Sequence, residues 1–348
     1  MKLKKITALT MAGSMAALSL TACGGGTSTT ATTAAAAVET TAAAADATTA
    51  AETSNSDAIV LQVAFENSIS EPIGQGIVKA QELLKEKSGG TMEIQIYPDS
   101  QLGDKSSLID SMLLGENVCT VADGAFYADY GVPDFGIVFG PFLFDSWDQC
   151  WTLIESDWYK EQCSKLADKG LTVLGSNWVY GERELMTKDK AVVPADIKGK
   201  KIRLANSQIY VEGFNALGAT AVPMALGDVY TALQNGTLDG VENPLSTLYG
   251  QSFQEVTKNI LMTGHILNFT TWCIGTDYLN TLTQEQQDLL FKTCEEAGLY
   301  NNEKQEAAND DYRKKLEDAG VTFTELTDEE RAQWKEASLS FYEKGSQF

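Results

Sequence analysis

Histidine occurs once in this 348-residue chain and arginine only four times. A single His excludes multi-histidine metal sites and the two-histidine zinc motif. Positive charge is scarce overall, with 26 Lys and Arg against 48 Asp and Glu and a formal net charge of −22. A nucleic-acid backbone binder needs the opposite surface, so that class is excluded. The acid excess is not itself a function, since acidic surfaces commonly serve solubility. No GxSxG, P-loop, CxxC pair or cluster of metal-ligand residues appears, and His265 stands between Gly264 and Ile266 with no nucleophile motif around it. No cofactor or metal is therefore expected. The apolar opening from Ile6 to Leu20 is 15 residues, short of the roughly 20 needed to span a bilayer. The length suggests about two domains.

That opening follows Lys2, Lys4 and Lys5 and ends in small residues, the pattern of a secretory signal over residues 1–22. Leu20-Thr21-Ala22-Cys23 resembles the lipobox of bacterial lipoproteins. The resemblance implies that Cys23 is lipidated and becomes the mature N-terminus. Removing the three leader lysines would take the formal charge from −22 to about −25. From Thr27 to Asp57 the chain is mostly Ala, Thr, Ser and acidic residues, with Val38 the sole large apolar side chain. Such a stretch cannot bury enough surface to fold and is expected to be a disordered tether, about 30 Å end to end on average. The expected location is extracytoplasmic, lipid-anchored to the cell membrane. Disulfides are permitted there, yet Cys119, Cys150, Cys163, Cys273 and Cys294 are odd in number. Cys150 and Cys163 fall in one helical-looking stretch, which if continuous would hold them about 20 Å apart, too far to bridge.

The body reads as α/β. Ile59–Phe65, Met92–Tyr97 and Val118–Val121 have strand patterns, separated by helical periodicity after Pro72 and over Lys105–Leu114. Leu171–Leu174, Glu184–Thr187, Lys201–Leu204, Thr220–Val222 and Leu238–Val241 read as further strands, with a loop at Glu242-Asn243-Pro244. A long helix is expected from about Gln284 to Glu317. Strands alternating with crossover helices indicate two α/β lobes, with the ligand site in the cleft between them.

Of the four arginines, Arg313 and Arg331 lie on charged helical segments, whereas Arg183 and Arg203 sit in apolar strand segments. A chain that otherwise uses Lys places the planar guanidinium fork there, the group that grips a carboxylate through two parallel hydrogen bonds. Two readings are open: a ligand clamp, or structural pairing with Glu182, Glu184 or Glu242.

Phe65–Gly103, including Lys87–Thr91 and Pro98–Gly103, then Gly140–Phe144, Asp196–Arg203, Ala216–Ala219, Pro223-Met224, Val229–Gly236 and Leu238–Pro244, in this order, resemble the TRAP transporter solute-binding proteins of the DctP type. The resemblance implies a two-lobe, periplasmic-binding-protein-like fold (type II-like) with crossing strands and a long interdomain helix. Lobe I would take residues 58–180 plus about 265–305, and lobe II 181–264 plus about 306–348. It also implies a receptor, not an enzyme, that closes on a small organic acid and delivers it to the membrane subunits of a TRAP permease. Arg203 would clamp the ligand carboxylate, Arg183 would add a second contact, and Asn243 and Asn206 would hydrogen-bond the ligand. The other lobe would contribute Glu66 and Asn67 after the first strand, and Asp123 and Phe126 after the third. If Glu66 and Asp123 face the cleft, they disfavour a second ligand carboxylate and favour hydroxyl or amino groups; the alternative is that they cap local backbone N–H groups. Trp178 is a candidate for packing on the ligand. Glu182 stands where the family usually has an aromatic residue and could pair with either Arg. Two other functions keep the same sequence features: a surface lipoprotein enzyme acting on carbohydrate through paired carboxylates, and a sensor that hands its ligand to a membrane receptor.

Overall fold

The computed structural model describes residues 58–344; the leader, Cys23 and the tether lie outside the described residues. Nine strands form one mixed sheet in the order β2-β1-β3-β8-β4-β7-β5-β6, with β9 paired to β8. They are β1 (Ile59–Ala64), β2 (Met92–Tyr97), β3 (Val118–Ala122), β4 (Leu171–Thr187), β5 (Lys201–Leu204), β6 (Thr220–Pro223), β7 (Gly240–Asn243), β8 (Asn259–Gly275) and β9 (Thr322–Glu325). On one side β1 pairs in parallel with β2 and β3, and on the other β5 pairs in parallel with β6 and β7.

Parallel neighbours need crossovers, and the sequence supplies their boundaries. The helix Pro72–Lys87 begins on a proline, whose missing N–H is no loss at a helix start, and stops at Ser88 before Gly89 and Gly90 at φ 61° and 80°. The helix Lys105–Leu113 is started by Asp104, whose carboxylate accepts from the Ser107 N–H at 3.0 Å.

β4 and β8 join the two halves. Each is 17 residues long, and they pair antiparallel from Leu171↔Gly275 to Thr187↔Asn259. The early half of β4 lies with Trp272 and Ile274 in one core, around Leu61, Val63 and Leu84. Met186 near its end lies in another, with Val241, Ile260 and Phe253. The 35-residue helix Gln284–Asp318 serves both: Leu290, Cys294 and Ala297 pack into the first core, and Tyr312 and Leu316 into the second. Two lobes sharing two strands and one helix is the expected architecture.

Three expectations change. The segments Leu171–Leu174 and Glu184–Thr187 are ends of one strand, interrupted by register shifts that keep it continuous while it bends. The stretch holding Cys150 and Cys163 is two helices, because Ser156 turns the chain at φ −68°, ψ 154° and caps the next helix through the Tyr159 N–H; the cysteines of the described residues are all free thiols. Glu242 and Asn243 extend β7 and are not a loop, with Pro244 turning directly into the helix Leu245–Gly250.

Candidate functional site

The parallel strands of both lobes end at one small cavity, of about 30 Å³. Glu66 follows β1, Asp123 follows β3, and Arg203 and Asn243 lie at the ends of β5 and β7. The crossing strands supply the wall between them: Tyr180 and Arg183 from β4, Asn268 and Thr270 from β8. A bulge between Val179 and Gly181, where two residues face one on β8, re-aims Tyr180 toward the site.

Arg203 is 3% exposed. Its Nε and Nη2 donate to the Met224 carbonyl at 2.9 and 2.6 Å, and no carboxylate among the described residues forms an ion pair with it. Burial pulls its pKa down, with only partial compensation from Glu66 and Glu242. This is a buried cation with donors to spare, held in place by one carbonyl.

Arg183 differs. Its Nε and Nη2 grip Glu242 bidentately at 2.5 and 2.7 Å, its Nη1 donates to Asn268 Oδ1 at 2.8 Å, and the guanidinium carbon lies 5.1 Å from the Tyr210 ring centroid. Of the three acids that could neutralise it, Glu242 does so. Burial would raise the Glu242 carboxyl, but the Arg183 charge and hydrogen bonds, assisted by His265, outweigh it and hold the pKa at about 2. Burial also lowers the pKa of His265, more than Glu242 raises it. The neutral ring then donates from Nε2 to Glu242 at 3.2 Å and accepts the Thr263 hydroxyl at Nδ1, 2.7 Å away. His265 is a brace behind the Arg183–Glu242 pair.

Glu66 and Asp123 both line the cavity, and of the two only Asp123 also caps a local backbone N–H. Asp123 accepts from the Ala125 N–H at 3.0 Å, the Tyr210 hydroxyl at 2.8 Å and the Asn268 amide at 3.3 Å. Glu66 reaches across to the Leu226 N–H at 3.2 Å. Lys105, unforeseen from sequence, packs beside them with its side chain 15% exposed. Its ammonium donates to the Val121 carbonyl at 2.8 Å, stands 4.0 Å from Glu66 and lies 5.0 Å from the Phe126 ring centroid. Burial lowers its pKa, against the pull of Glu66 and Asp123. It begins a helix directly after an N-cap, where a lysine ordinarily reads as a solvated charge; Tyr180, Tyr210 and Asn268 carried no stronger sequence signal.

Asn243 and Phe126 line the same cavity, and the Asn243 amide oxygen is buried without a partner among the described residues, an acceptor left for a bound donor. Asn206 lines an adjoining recess that shares Arg203, Lys105 and Glu66. Asn67 and Trp178 are not cavity residues. Asn67 is turned toward Glu71, Tyr180 and Thr247. Trp178 is fully buried, 5.4 Å from the Trp272 ring centroid, with its indole N–H on the Cys294 carbonyl at 2.9 Å; a large apolar side chain on the sheet's inner face is core, not ligand wall. Glu182 pairs with neither arginine and lies exposed on the far side of β4.

Two lobes sharing crossing strands, with a charged cavity between their strand ends, define a solute-binding receptor of the periplasmic-binding type. The family model "Bacterial extracellular solute-binding protein, family 7" (DctP) matches residues 63–347, and the chain belongs to this family. It is 30% identical over 282 residues to the C4-dicarboxylate-binding periplasmic protein DctP of Rhodobacter capsulatus, covering 81% of this chain and 84% of the relative. It is likewise 30% identical over 250 residues to the 2,3-diketo-L-gulonate-binding periplasmic protein YiaO of Escherichia coli, covering 71% and 75%. A TRAP periplasmic solute-binding protein from Ochrobacterium anthropi with bound L-fuconate superposes with a TM-score of 0.80 at 34% identity, covering 82% of this chain and 94% of that one. One from Actinobacillus succinogenes with bound L-galactonate gives 0.78 at 31%, covering 83% and 100%.

Proposed function

We propose that this protein is the extracytoplasmic receptor of a TRAP-type transporter for a polyhydroxylated monocarboxylic acid, an aldonate or uronate, and that it catalyses no reaction. Arg203 receives the single carboxylate; Arg183, already neutralised by Glu242, orients the site and contributes its remaining N–H. The observation that carries the ligand class is the pairing of a donor with an acceptor in the rest of the cavity, Lys105 beside Glu66. A hydroxyl both donates and accepts, so this pair suits one hydroxyl, and the buried Asn243 amide oxygen takes a further donor. A second carboxylate only accepts and would lie against Glu66 and Asp123. The sugar acids bound by the two structural relatives above accord with this, whereas the dicarboxylate named for the Rhodobacter relative does not.

One lobe takes residues 58–180 plus about 265–305, and the other 181–264 plus about 306–348. Cys23, lipidated after removal of residues 1–22, anchors the receptor, and the membrane subunits of the permease take the ligand from it. Among the described residues no helix is long and apolar enough to cross a membrane. A thermal-shift screen of L-fuconate, L-galactonate, galacturonate and succinate tests the ligand class, because a ligand that binds only the folded state raises Tm. Stabilisation by a sugar acid and not by succinate is expected; the reverse ranking overturns it. Palmitate labelling of the full chain, lost on Cys23→Ser, tests the anchor.

A further inference from the structure

Behind Tyr180, outside the cavity, lies a second polar cluster that the ligand chemistry does not use. Its centre is Glu71, 1% exposed, immediately before the proline that starts the helix Pro72–Lys87. Its Oε2 accepts from the Asn67 amide and from the Thr247 hydroxyl, each at 2.8 Å, and its Oε1 accepts from the Ser68 N–H at 3.0 Å. Asn67 also donates to the Tyr180 hydroxyl at 2.9 Å, and Thr247 stands 3.2 Å from the same hydroxyl. Gly250 accommodates the carboxylate, since a Cβ there would come within 2.6 Å of Oε1.

These partners come from different parts of the fold. Asn67, Ser68 and Glu71 follow β1 at the end of one lobe's parallel strands, whereas Thr247 and Gly250 lie on the helix that follows β7 in the other. Tyr180 sits between them on the crossing strand β4, and its ring faces Arg183 at 5.9 Å. No Lys or Arg among the described residues forms an ion pair with Glu71. The titratable groups packed nearest are Tyr180 from β4 and Tyr312 from the long helix, whose hydroxyl donates to the Ser70 carbonyl at 3.3 Å. Burial raises both phenols to about 12, so neither changes charge near neutrality.

We propose that Glu71 is a closure latch, a positioning residue that ties the two lobes together through Thr247 and Tyr180 and takes up a proton when the cleft closes. The proposal rests on the reading of the cleft as one that closes on a ligand. A carboxylate enclosed without a cation is stabilised by hydrogen bonds alone, and the unfavourable burial of its charge is relieved by protonation. When the lobes part, Thr247 and Gly250 leave and water replaces them, restoring the ordinary carboxylate.

In the closed form burial raises the Glu71 pKa from 4.5 to about 7, outweighing the hydrogen bonds from Thr247, Asn67 and Ser68. The closed state therefore binds more protons than the open one between those values, so closure strengthens as pH falls from about 8 toward 5. The expected consequences are an affinity about tenfold tighter at pH 6 than at pH 8, and uptake of roughly 0.9 proton per ligand bound at pH 6.

The test is calorimetry with L-fuconate, or L-galactonate if that binds better, in two buffers of different ionisation enthalpy at pH 6 and pH 8. Wild type should show that uptake and that tightening; Glu71→Gln should bind with neither, and Thr247→Ala should weaken binding at both pH values while the fold holds by circular dichroism. Binding by wild type without proton uptake, or the same uptake by Glu71→Gln, overturns the latch. If only succinate binds, the ligand class fails, and the proton count is taken with succinate at pH 7, where about half a proton is expected. If none binds, the Glu71 carboxyl is titrated by carbon NMR in the free protein, whose lobes stand apart: a midpoint near the ordinary value of 4.5 is expected, and one near 7 overturns the latch, because closure would then take up no proton.

Discussion

Replacing Arg203 with Met separates binding from folding. The side chain is 3% exposed, and it places a charge in the cavity wall with a carbonyl for support but no counter-ion. Truncating one partner of a buried, hydrogen-bonded charge pair costs about 2–5 kcal/mol, or about 30- to several-thousand-fold in affinity. For the ligand-free protein the balance is different. Arg203→Met leaves the Met224 carbonyl without its donors, a loss of about 1 kcal/mol, but removes a buried charge whose desolvation costs several kcal/mol. The ligand-free Tm is therefore expected to stay level or rise while binding disappears. Calorimetry with L-fuconate and a thermal melt without ligand read the two sides separately. Affinity within about threefold of wild type would refute the clamp. A ligand-free Tm lowered by more than about 5 °C would show that Arg203 instead holds the fold together.

Glu242→Gln should destabilise the ligand-free protein by about 3–5 kcal/mol at pH 6, because it strands Arg183 as a buried unpaired cation. The Glu242 carboxyl lies below its ordinary value, so its stabilisation is complete above about 4.5 and is lost as pH falls toward about 2. The gap between the two urea-unfolding curves should accordingly narrow from pH 6 to pH 3. Glu184 has the opposite sign: burial, against the hydrogen bond from the Gly264 N–H, raises its pKa to about 8. Its contribution is fullest below about 4.5 and is lost as pH rises through 8, so wild-type stability should fall over that window more steeply than that of Glu184→Gln. Gly181→Ala should lower Tm, costing about 1–3 kcal/mol, because φ is 136° and a Cβ would meet Pro244 at 2.8 Å and Gln305 at 2.9 Å.

The parallel strands and their crossover helices were legible because each carries its own punctuation: Pro72 and Gly89-Gly90, the Asp104 cap, and the apolar runs of β1 and β3. The crossing strands were not. β4 passes through Gly175-Ser176-Asn177 and Gly181, residues that read locally as turns, and only pairing with β8 keeps it extended. β8 buries His265, Asn268, Thr270 and Thr271, so its polar positions broke the apolar run that marks a buried strand. The same contrast holds at the site. Arg203, Arg183, Asn243, Glu66, Asp123 and Phe126 meet at one cavity, as strand ends and motifs suggested. Lys105 became visible only when packing brought it to the cavity, and the choice of Glu242 over Glu182 and Glu184 as the partner of Arg183 follows from the β4–β7 register, which pairs Glu242 with Leu185. Trp178 had the composition of a ligand platform but lies on the face of β4 that meets Trp272.

The chain's few arginines thus divide the work: one is charge-balanced by a glutamate that the lone histidine braces, and another stays unpaired at the cleft. The most direct test of that account is isothermal titration of the purified receptor with L-galactonate and with succinate at pH 7. The account predicts saturable binding of the sugar acid with one site per chain, and binding of succinate at least about 100-fold weaker, the penalty expected for a second carboxylate set against Glu66 and Asp123. Succinate binding as tightly as L-galactonate, or more so, would contradict it.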